Sequence, residues 1–92
     1  METKGYQLGE RVQEEINGII AKVLGCPVEN IRPDTRWEDL NADWLDIGEI
    51  IVEIEKRLHI IIEKYDDLPV EDFDTSSTLE ELFQDVAEVL AK

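Results

Sequence analysis

The chain reads as an all-α protein, a small four-helix bundle of three main helices and one short helix, with a long ordered loop after the first. Three observations give that class. Apolar residues recur at three- and four-residue spacing in three separate stretches, the period of a helix that buries one face. Apolar residues make up 42% of the 92, with only three Pro and five Gly to interrupt helices. The one strand-like run, Ile60-Ile61-Ile62, has no partner strand in the sequence. A chain this long holds one domain, over residues 1–92, and buries about two-thirds of its unfolded surface, so the core is modest.

The first helix spans about residues 8–24, with Val12, Ile16, Ile19, Ile20 and Val23 as its stripe. Gly25 is its stop, and Pro27 follows at the distance expected beyond a helix end. Residues 25–42 form the long loop, in which Val28, Ile31, Trp37 and Leu40 are expected to pack it down. Asp43 is the N-cap of a second helix, about 44–58, whose stripe is Ile47, Ile50, Ile51, Ile54 and Leu58. Asp46 in its first turn and Lys56 and Arg57 in its last suit the helix dipole. Ile60–Ile62 is the helix end running into packed loop, and a short helix is expected at 70–73. Thr78 and Glu81 form a Thr-x-x-Glu capping box for the last helix, 78–90, with a stripe of Leu79, Leu82, Phe83, Val86, Val89 and Leu90.

Charge excludes several functions. Twenty-three acids against nine bases leave a net charge of −14. Nucleic acid needs a cationic footprint, and anionic membrane surfaces repel such a chain. A basic partner is attracted instead. The lone Cys26 forms no internal disulfide. The first nine residues lack the apolar core of a signal peptide, and no run reaches the length of a membrane span. A cytoplasmic monomer is the expectation.

On the second helix, taken at about 100° per residue, Leu45 and Val52 lie together opposite the core stripe. Asp46, Glu49 and Glu53 flank them on one edge, and Glu55 stands on the other. A small apolar spot ringed by carboxylates suits a basic, partly apolar partner, although exposed single aliphatics are also ordinary on protein surfaces. Catalysis has no such support. His59 is the only histidine, there is no Gly-rich phosphate loop, and Ser76 and Ser77 read as turn or capping residues. No catalytic residue and no metal site is assigned.

The run Trp37-Glu38-Asp39-Leu40-Asn41-Ala42-Asp43-Trp44-Leu45-Asp46 resembles the acyl carrier protein motif. There, an aromatic, Asp-Leu, Gly-Ala and Asp-Ser-Leu lead into the second helix. The likeness covers nearly the whole chain, with Trp37 one residue closer to Asp39 than usual and a longer segment over 60–77. It implies a four-helix bundle whose serine carries a 4′-phosphopantetheine arm, presenting acyl intermediates to the enzymes of fatty acid or related biosynthesis. The acidic second helix of the family docks on basic faces of the phosphopantetheinyl transferase and of those enzymes. Here that face falls on Leu45, Asp46, Glu49, Val52 and Glu53.

The resemblance places the arm at position 44, between Asp43 and Leu45, and this chain has Trp44 there. Asn41 stands for the usual Gly, and Gly48 for a commonly larger apolar residue on the docking edge. Neither would abolish carrying, whereas tryptophan offers no hydroxyl for a phosphodiester. The chain is then either a carrier with one disabling substitution or a cargo-free module that kept the docking face. On the wheel Trp44 lies at the border between core and surface: its ring either folds over the mouth of the interior beside Ile47, Ile62 and Tyr65, the favoured arrangement, or stands out as an interface anchor.

Overall fold

The computed structural model describes residues 8–63 and 75–91. They form three α-helices, α1 (Glu10–Leu24), α2 (Trp44–Leu58) and α3 (Leu79–Leu90), with two short 3₁₀ turns, Val28–Asn30 and Trp37–Leu40, between α1 and α2. Among the described residues the only β pairing is a single antiparallel bridge, Arg36 to Thr78. The short helix expected at 70–73 lies outside the described residues.

Helix α1 turns Ile16, Ile19 and Ile20 inward, as its spacing requires. Gly25 ends it in the left-handed region at φ 67, a conformation open to glycine without a Cβ clash. From there the Cys26 amide reaches back to the Ala21 carbonyl at 3.1 Å, closing the last turn. Ile31, Trp37 and Ala42 then carry the loop into the core. Val28 does not serve as an anchor; it sits in the first 3₁₀ turn and is 47% exposed. Neighbouring Ile31 takes the inward position because the chain is already extended there.

The loop is held by backbone as much as by side chains. The Trp37 amide donates to Ser77 O at 3.2 Å and the Glu38 amide to Thr75 O at 2.8 Å. In return the Leu79 and Glu80 amides donate to Thr35 O and Pro33 O, at 2.8 and 2.9 Å. Those are the first amides of α3, which have no partner inside the helix. The expected Thr78–Glu81 capping box is therefore a correction: Thr78 is the N-cap residue but its side chain makes no capping bond. The amides of Leu79 and Glu80 are instead paired by carbonyls from a segment far away in the sequence.

Helix α2 begins with the full reciprocal box that Asp43 promised. The Asp46 amide donates to Asp43 Oδ1 at 3.0 Å, and the Asp43 amide donates to Asp46 Oδ2 at 3.3 Å. Ile47, Ile50, Ile51 and Ile54 form its buried face, packed against α1. His59 ends the helix in the left-handed region at φ 57. Glu55 then organises the reversal: its carbonyl accepts from the His59 and Ile60 amides, and its Oε2 accepts from the Ile62 amide at 2.8 Å. The expected packing of Ile60–Ile62 holds for Ile62, 1% exposed, and in part for Ile60; Ile61 points outward.

Leu79, Leu82, Phe83 and Val86 of α3 complete the core, while Leu90 at its end faces solvent. Every fully buried side chain among the described residues is apolar. Three of the exposed large apolar residues, Trp44, Leu45 and Val52, lie on the outside of α2.

Candidate functional site

The outer face of α2 is built by the same periodicity that buries its inner one. Positions 44, 48 and 52 follow one another at four-residue steps and so share a face. Trp44, Leu45 and Val52 are exposed there, at 42%, 62% and 47%. Between them Gly48 contributes no side chain. Trp44, Leu45, Gly48, Glu49, Val52, Glu53 and Lys56 line an open groove of about 530 Å³.

Four of the five expected docking residues, Leu45, Glu49, Val52 and Glu53, thus meet in one place. The fifth, Asp46, lies apart from the lining, because one of its oxygens accepts the Asp43 amide in the capping box. Asp43 and Asp46 set the start of the helix, and with it the positions of Trp44 and Leu45. Sequence reasoning missed Lys56 as a groove residue; it had Gly48 on the docking edge and left Trp44 between the interior and the surface.

Trp44 lines the outer groove with Leu45 and Gly48 and is 42% exposed, while Ile47 and Ile62 are buried at 2% and 1% exposure. Tyr65 lies outside the described residues.

Glu49 and Glu53 also border a second groove, of about 310 Å³, between α1 and α2, with Ile19, Lys22, Val23 and Arg57. The two carboxylates therefore form the ridge between an apolar trough and a polar one. Neither Glu49 nor Glu53 makes an ion pair among the described residues, although Lys56 shares the first groove and Lys22 and Arg57 the second. Among the described residues Arg36 pairs with Glu38 at 3.7 Å, a solvent-exposed contact far along the loop.

Hydroxyl chemistry is missing at this end of α2. Residues 41–46 are Asn, Ala, Asp, Trp, Leu and Asp, and the two serines of the chain, Ser76 and Ser77, precede α3. Among the described residues no His, Cys, Asp and Glu cluster could hold a metal ion, and no helix is long and apolar enough to cross a membrane.

Residues 14–86 match the family described as "Phosphopantetheine attachment site". The chain belongs to that family of carriers, which hold a 4′-phosphopantetheine group and are not enzymes. Similar proteins carry the name acyl carrier protein. That of Streptococcus thermophilus (strain CNRZ 1066) is 38% identical over 52 residues, 56% of this chain and 70% of that protein. That of Streptococcus pyogenes serotype M1 is 40% identical over the same shares. That of Nitratidesulfovibrio vulgaris (strain DSM 19637 / Miyazaki F) is 39% identical over 56 residues, 60% of this chain and 74% of that protein.

Proposed function

We propose that this chain is an acyl-carrier-type docking protein of fatty acid or related acyl-chain biosynthesis, with its attachment position filled by Trp44. It acts in the cytoplasm as a monomer, which a net charge of −14 favours. The outer face of α2 meets basic surfaces of the phosphopantetheinyl transferase and of acyl-chain enzymes. The observation that carries this reading is the groove itself: Leu45 and Val52 exposed beside Glu49 and Glu53, carboxylates without an ion pair among the described residues. Apolar contact supplies affinity, and the acids supply steering and register.

The residues present do not fit the arm at this place. Its attachment is a phosphodiester to a side-chain oxygen, and an indole has none. The carrier reading therefore describes the surface and the family role, and no loading step is assigned to position 44.

A second reading, a cargo-free module that docks on the same enzymes and regulates them, is favoured by the exposed indole of Trp44. A group that is 42% exposed and lines the docking groove adds contact area there. Intact mass separates the two readings. The chain and its Trp44→Ser variant are incubated with coenzyme A, magnesium and a broad-specificity phosphopantetheinyl transferase. Gain of the arm's mass by the serine variant alone identifies a carrier disabled at one residue. If neither chain gains it, the transferase no longer recognises the surface, and the cargo-free module is the correct reading.

A further inference from the structure

We propose that Gly48 is a socket: the outer groove of α2 receives one large apolar side chain of a basic protein partner, seated over Gly48 between Trp44 and Val52. The partner's Arg or Lys residues meet Glu49 and Glu53. This rests on the docking reading above and adds the chemistry of the partner's contact residue.

Glycine inside a helix weakens it relative to alanine, and nothing among the described residues requires glycine at position 48. Its backbone is helical, its φ is not among the positive ones, and a Cβ added there meets no atom within 4 Å. Gly18 of α1 has the same freedom, so an open glycine alone signifies little. The surroundings distinguish Gly48. Trp44 stands one turn before it and Val52 one turn after, with Leu45 alongside, all three exposed. The missing side chain is thus a gap in an apolar stripe, and the groove of about 530 Å³ runs through that gap.

Charge selects the occupant. Glu49 and Glu53 border the gap without cations of their own among the described residues. A second copy of this chain would bring the same acids against them, and a net charge of −14 opposes that approach. An anionic lipid surface is repelled likewise. A basic partner surface with one protruding apolar residue satisfies both the trough and its rim. Lys56, also in the lining, makes the two ends of the groove different and so gives the docked partner a direction.

The test uses two helical peptides rich in Lys and Arg, identical except for a single central Leu or Ala, and fluorescence anisotropy at low salt. The leucine peptide is expected to bind the parent chain about five- to tenfold tighter than the alanine peptide. Gly48→Leu should erase that preference, and Gly48→Ala should reduce it. Gly48→Ala should melt at or above the parent temperature, since its Cβ meets no atom within 4 Å, and a melting curve of Gly48→Leu checks that this variant is folded before its binding is read. Glu49→Lys combined with Glu53→Lys should weaken both peptides alike. An equal leucine preference in the parent and in Gly48→Leu overturns the socket, as does no preference in the parent. Continued loss in the charge-reversed variant then shows that docking itself stands. If neither peptide binds in a salt-sensitive way, docking and socket both fall.

Discussion

Asp43→Ala tests whether the start of α2 is held as the structure shows. The substitution removes the acceptor of the Asp46 amide, a 3.0 Å bond, and leaves that amide to water. It spares the reciprocal bond, because residue 43 still has its own amide to donate to Asp46 Oδ2, at 3.3 Å. Loss of one exposed N-cap bond costs about 1 kcal/mol. For a domain of this size that lowers the melting temperature by about 4–8 °C. The net charge complicates the sign, since removing one acid from a chain at −14 also relieves repulsion. Asp43→Asn separates the two effects: it keeps a capping oxygen and removes the charge. Thermal and urea unfolding followed by circular dichroism should rank Asp43→Asn close to the parent and Asp43→Ala about 1 kcal/mol below both. Equal stability of the alanine and asparagine variants would refute the capping argument, and with it the account of what fixes Trp44 and Leu45.

Two further predictions concern the end of the same helix. Glu55→Ala removes the acceptor of the part-buried Ile62 amide and should cost about 1–3 kcal/mol, with faster hydrogen exchange at Ile62 than at the buried amides of α1. His59→Gly should stabilise the chain by about 0.5–1 kcal/mol, because a residue with a Cβ is strained at φ 57. Asn41→Gly, at φ 59, should gain less, since asparagine tolerates that region better; chemical denaturation of both variants gives the comparison.

Local signals in the sequence were reliable where the structure is local. Asp43 caps α2 and Gly25 stops α1 through atoms within a few residues, so composition and spacing were enough to find them. The inward faces of α1 and α2 followed from spacing for the same reason. Thr78 shows the limit. Its capping box was sound by pattern, but the amides it leads into are paired by Thr35 and Pro33, and no helical periodicity encodes that partnership. Glu55, seven residues before the amide its side chain binds, was legible only as an edge residue of the wheel. In the loop, Ile31 and Val28 are alike by type, and the backbone turn alone decides that one is buried and the other exposed. At the site, the wheel found the carboxylates and the two aliphatics. It did not place Trp44, because a residue in the first helical turn lies between faces and its neighbours decide.

The backbone ties between the first long loop and the start of α3 impose an order of assembly. Segments of a chain leave the ribosome in sequence, N-terminal first. Pro33, Thr35, Trp37 and Glu38 are made well before Thr75, Ser77, Leu79 and Glu80, which complete their hydrogen bonds. Until those later residues emerge, the loop that leads into Asp43 lacks its fastening and the core lacks Leu79, Leu82 and Phe83. The outer face of α2, proposed above for docking, therefore reaches its final presentation only when α3 has joined the bundle. A nascent or C-terminally shortened chain presents its acidic residues without the framework that aligns them.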